Sequence, residues 1–123
     1  MLTRIINNSG IWVESTEGFK VGFFMWNGND SCLSYSEGGR EFVLEAIFWH
    51  DSKEDREADL TGMTARQLEK YGERRVMLIY VPDNLRWRNS DDPIPSEDRQ
   101  RILGNIRVAV EFETHKPRFL KQT

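Results

Sequence analysis

Nucleophilic and metal-binding chemistry in this chain would have to come from Cys32, His50 and His115, its one cysteine and two histidines. A thiol attacks as the thiolate, so either histidine could activate Cys32 if the fold brought them together. The sequence around Cys32 carries no nucleophile signature and reads as strand, where a thiol packs as a small hydrophobe. His50, Asp51, Glu54 and Asp55 are the nearest thing to a ligand set. Their spacing fits neither the zinc patterns nor a calcium loop with its glycine and closing glutamate. No Gly-x-Ser-x-Gly elbow, phosphate loop or Gly-x-Gly-x-x-Gly turn occurs. Asp91-Asp92 and Glu97-Asp98 are adjacent acids. Glycoside hydrolysis needs two carboxylates facing each other across a bond, whereas acids at a helix start answer the macrodipole. The sequence predicts no catalytic residue, no metal and no cofactor.

Recognition chemistry is better represented. Trp12, Trp26, Trp49 and Trp87 give four tryptophans in 123 residues. Trp26 and Trp49 each end an apolar run beside a polar turn, and Trp87 stands between Arg86 and Arg88. Such rings either plug a small core or anchor an interface. Between Asp51 and Asp59 there are five acids against Lys53 and Arg56. An aromatic next to that stretch would supply an anchor and a steering field together. The expected partner contacts are Asp51, Glu54, Asp55, Glu57 and Asp59, with Trp49 and Trp87 as anchors. The net charge of −3 and pI near 5.4 argue against nucleic acid or an anionic membrane as the direct partner.

The elements that would position these residues are legible as periodicity. Residues 75–81 (Arg-Val-Met-Leu-Ile-Tyr-Val) form the longest apolar run and predict a strand covered on both sides, ended by Pro82. Before it, Leu2 to Ile6, Ile11 to Glu14, Phe19 to Trp26, Cys32 to Tyr35 and Glu41 to Trp49 alternate like an antiparallel meander. The turns between them are Asn7-Asn8-Ser9-Gly10, Thr16-Glu17-Gly18, Asn27-Gly28-Asn29-Asp30 and Glu37-Gly38-Gly39. Phe42, Leu44, Ala46 and Phe48 share one face of the fifth run. Thr64-Ala65-Arg66-Gln67 is a capping box with Met63 and Leu68 at the staple positions, and it predicts a short helix near 65–71 stopped by Gly72.

After the polar, proline-bearing stretch 87–95, Ser96 is the expected N-cap of a longer helix near 97–113, with Glu97 and Asp98 in its first turn. Residues 106–113 also alternate with period two, so a short helix capped at Gly104 and a final strand is the competing reading. The continuous stripe Ile102, Ile106, Val110 favours the single helix, despite Gly104 costing about 1 kcal/mol relative to Ala. Lys116-Pro117 would end it, with an edge strand at 118–120.

The stretch from the 75–81 strand through Leu85-Arg86-Trp87, Pro93-Ile94-Pro95 and Ser96-Glu97-Asp98-Arg99-Gln100-Arg101-Ile102-Leu103 resembles small bacterial immunity proteins of polymorphic and contact-dependent toxin systems. The resemblance covers residues 74–113 and supports the single helix. It implies a protein that binds and neutralises a cognate toxin domain, and it assigns no residue a role.

The expected fold is one α+β domain over residues 1–123: a mainly antiparallel sheet of five to seven strands, with the short and the longer helix packed on it. One cysteine excludes an internal disulfide framework. No signal-peptide pattern opens the chain, and no apolar run approaches the ~20 residues that span a bilayer. A reduced cytoplasmic setting is expected, where the Asn-x-Ser matches at Asn7 and Asn29 mean turns. The expected function is toxin immunity, with acids mimicking phosphate if the toxin is a basic nuclease. The alternative is a small-molecule or carbohydrate-binding module with a tryptophan-lined cleft, and a third option is a hydrolase or transferase using Cys32 or a histidine.

Overall fold

The computed structural model describes residues 1–7, 10–26, 30–50, 75–113 and 116–122. Its strands are β1 (Leu2–Asn7), β2 (Gly10–Ser15), β3 (Phe19–Trp26), β4 (Asp30–Glu37), β5 (Arg40–His50), β6 (Arg75–Pro82) and β7 (Lys116–Gln122), and its helix is α1 (Ser96–Phe112). The seven strands form one sheet in chain order. Every neighbouring pair is antiparallel except β6 and β7, which run parallel across the α1 crossover. That connection is required: two parallel neighbours cannot be joined by a hairpin, and a helix returns the chain to the same end of the sheet.

Several strands are longer than their apolar patterns. β4 extends from Asp30 to Glu37 and β5 from Arg40 to His50, because ladder hydrogen bonds continue through polar residues that contribute nothing to the core. Gly38 and Gly39, at φ 55° and 78°, make the two-residue turn between them, which needs positive φ at both positions.

One face of the sheet is inner. Register places Val13, Val21, Tyr35 and Phe42 in one row across β2 to β5, with Phe23, Leu33 and Leu44 in the next. Met77, Ile79 and Val81 continue that side on β6. α1 lies over it and buries Ile102, Ile106, Ala109 and Val110. The helix runs through Gly104 to Phe112, so the helical stripe prevails over the alternating pattern: Ile106, Ala109 and Val110 all reach the same core. Full cover on both sides of β6 is not found. Met77, Ile79 and Val81 are buried, whereas Leu78 and Tyr80 on the opposite side are half-buried, since α1 covers only the inner face.

The N-cap also differs from expectation. Pro95 holds that position, with φ −57° and ψ 147°, no side chain caps the helix, and Ser96 is its first residue. Proline's fixed φ suits an N-cap, and its missing N–H costs nothing there. Glu97 and Asp98 do occupy the first turn. The short helix expected near 65–71 lies outside the described residues.

Three polar ties fix α1 across the sheet. Arg99 Nη1 donates to the Asp83 carbonyl at 2.7 Å, Arg101 grips Glu37 with both Nη atoms at 2.8 and 3.1 Å, and Arg4 Nε meets Glu113 Oε1 at 3.0 Å. The helix thereby reaches from the turn after β6, over β4, to β1.

Candidate functional site

Of the expected contact residues, Asp51, Glu54, Asp55, Glu57 and Asp59 lie outside the described residues. Trp49 is the penultimate residue of β5 and pairs in register with Val76. Trp87 is placed differently from a protruding anchor. The residue is only 9% exposed, its ring centroid lies 6.1 Å from that of Tyr35 and 5.4 Å from that of Phe42, and the Arg40 guanidinium lies 4.5 Å from it. The inner face of β5 ends at Phe42, and an indole fills the end of that row where α1 does not reach; flanking arginines gave no sign of this. Trp12 lies on the opposite, outer face, in the row with Gly22, Ser34 and Val43. These two rings therefore cannot line one cleft.

Cys32 is half-buried in β4, opposite Phe24 and Glu45. Among the described residues no three His, Cys, Asp or Glu side chains come together as a metal site would require.

Two arrangements leave no mark in the local residue pattern. The first is a polar latch between α1 and β4. Tyr35 is fully buried, and its hydroxyl donates to Glu37 Oε1 at 2.7 Å while accepting from Asn105 Nδ2 at 3.0 Å. Burial first, then the neighbouring Glu37 carboxylate, push the phenol up to about 12, against the opposing hydrogen bond from Asn105. For Glu37, burial acts to raise the pKa but is outweighed. Hydrogen bonds from Arg101 and Tyr35 and the charges of Arg101 and Arg40 hold the carboxyl below its ordinary 4.5. The Tyr35 hydroxyl and both Glu37 oxygens have partners, so the cluster reads as a clamp on α1 and not as a poised acid or base.

The second arrangement is a groove of about 720 Å³ between β5 and the loop after β6. β6 pairs with Ala46–His50 of β5, the pairing stopping at Ala46–Ile79, and the strand itself ends at Pro82, still in register with Gln122 of β7. The chain leaves the sheet there and returns at Arg88, whose N–H donates to the Glu41 carbonyl at 2.7 Å. In between, Leu85 and Trp87 turn into the core, and Ile94 N–H donates to the Leu85 carbonyl at 2.7 Å. Ser90 N–H closes a turn onto the Trp87 carbonyl, with Asn89 at φ 67° in the left-handed position such a turn needs. Phe42 and Trp87 contribute to the lining, while Val43, Arg86, Arg88, Asn89 and Asp91 are its exposed residues. Arg88 is neutralised by Glu41 at 3.2 Å.

Around this groove the outer face of β5 carries Glu41, Val43 and Glu45, all exposed, with Val43 at 58%. Comparison with protein-family models, with curated proteins and with solved structures found no match.

Proposed function

We propose that this chain is an immunity protein that binds a cognate bacterial toxin domain and blocks its active site or its access to substrate. The observation that carries the reading is the outer side of β5, where exposed Val43 stands between the exposed carboxylates of Glu45 and of Glu41, the latter shared with Arg88. An uncovered aliphatic side chain framed by acids has the make-up of an interface centre with a charged rim, suited to a basic partner. The strand beneath is tied to β4 along Ser31–Ala46 and Glu37–Arg40, so presenting this array costs little ordering on binding.

The chain then runs from His50 directly into Asp51, Glu54, Asp55, Glu57 and Asp59, which prolong the same sign of charge. Together these acids offer a nuclease-type toxin a substitute for phosphate. The resemblance across residues 74–113 supports the same reading, and a reduced cytoplasm suits the lone Cys32. Trp49 keeps its assignment as an anchor; Trp87 serves as support beneath the surface.

The test is calorimetric binding of a toxin domain encoded beside this gene. Reversing Asp55 and Glu57 to Lys should weaken binding about tenfold or more, equivalent to ~1.4 kcal/mol. Unchanged affinity would remove the acidic stretch from the interface, and a wild-type chain that binds no such domain would end the proposal.

A further inference from the structure

The groove beside β5 is lined by two exposed charges of opposite sign, Arg86 and Asp91. Among the described residues Arg86 and Asp91 make no hydrogen bond or ion pair, although both are exposed and both line the same groove. The neighbouring arginines are treated differently: Arg88 is paired with Glu41, and Arg40 is stacked on Trp87. The loop that carries them is held at both ends, by Arg88 N–H on the Glu41 carbonyl and by Ile94 N–H on the Leu85 carbonyl, and pinned by buried Trp87. The two charges are therefore presented from a stiff support. Val43 supplies an exposed apolar contact beside them.

We infer that this groove seats a polypeptide segment of the toxin, with a carboxylate for Arg86, a lysine or arginine for Asp91 and an apolar side chain against Val43. The inference rests on the immunity reading and adds to it the place and chemistry of a second contact. A simple anion such as phosphate would satisfy Arg86 but be repelled by Asp91, which lines the same groove. A peptide carrying both signs satisfies the pair. The guanidinium offers a planar fork for the partner's carboxylate, which gives this contact direction as well as charge.

The experiment is calorimetry of the neighbouring toxin domain against wild type, Arg86→Glu and Asp91→Lys, with the Asp55→Lys, Glu57→Lys double variant alongside. Arg86 and Asp91 are exposed, so melting temperatures should match wild type. Each single reversal should raise the Kd about tenfold or more, because it replaces attraction by repulsion. Binding that is unchanged by both single reversals, while the double variant still weakens it, overturns the groove and leaves the immunity reading standing. Loss on Arg86→Glu alone overturns the two-charge assignment. A wild-type chain that does not bind the domain removes both readings together.

Discussion

Two glycines show how a single position acquires opposite consequences from its surroundings. Gly22 lies in the middle of β3, where a Cβ would meet the Trp12 ring at 2.6 Å and Ser34 Oγ at 2.8 Å. The indole of Trp12 lies across the gap the glycine leaves, meets Phe24 edge-on at 5.0 Å and carries the Lys20 ammonium 4.8 Å from its centroid. Gly104, in α1, faces open space, with nothing within 4 Å of a built Cβ. Gly22→Ala should therefore destabilise by about 1–3 kcal/mol through overpacking, whereas Gly104→Ala should stabilise by about 0.5–1 kcal/mol through helix propensity. Urea denaturation reads both. The cause at Gly22 is checked by a cycle: in a Trp12→Ala background, Gly22→Ala should lose most of its cost.

At the scale of elements, the latch between α1 and β4 predicts how stability responds to acid. Glu37 has a lowered folded-state pKa, so its contribution is present above the ordinary value of 4.5 and is lost as pH falls through the lower folded value. The groups facing it are Tyr35 on β4, Arg40 on β5 and Arg101 on α1, with Asp98 3.8 Å from Arg101. Melting temperature should decline as pH drops below about 5, and Glu37→Gln should flatten that decline while lowering stability at neutral pH. Tyr35 acts at the other extreme. Its raised pKa makes its contribution complete below 10 and loses it as pH climbs towards about 12. Tyr35→Phe should remove that alkaline slope and leave Asn105 and Glu37 each short of a partner, at a cost of about 1–3 kcal/mol.

For the molecule as a whole, topology separates early from late structure. Strands β1 to β5 pair as successive hairpins, so their contacts close short stretches of chain. β7 joins β6 only after the α1 crossover, and Phe119 packs against the core edge with Arg107 5.4 Å from its ring. Longer loops close at greater entropic cost, so β7 should dock after the rate-limiting step. Phe119→Leu should speed unfolding and leave the folding rate nearly unchanged, as stopped-flow chevrons would show. An equal effect on both rates would place β7 in the nucleus. The two sheet edges also differ: β7 carries Lys116, Pro117 and Lys121, residues that discourage edge-to-edge association, while β1 offers Leu2–Asn7 with Ile6 67% exposed.

The sequence by itself determined the strands and the helix, because both are written in local periodicity. Phe42, Leu44 and Ala46 alternate and do face one way, and Ile102, Ile106 and Val110 form a stripe that is buried. It also determined the turn at Gly38 and Gly39, since glycine adopts positive φ at no steric cost. Tertiary structure decided what local patterns cannot encode. Trp87 became interior because the row Tyr35–Phe42 needed filling from a loop distant in sequence. Tyr35, Glu37, Arg101 and Asn105 became a clamp because α1 crosses β4, and Arg86 and Asp91 came to line one groove because the loop after β6 lies back against β5. The physical reason is range: periodicity reports which side of an element is apolar, whereas partnership between side chains depends on which elements the fold makes neighbours.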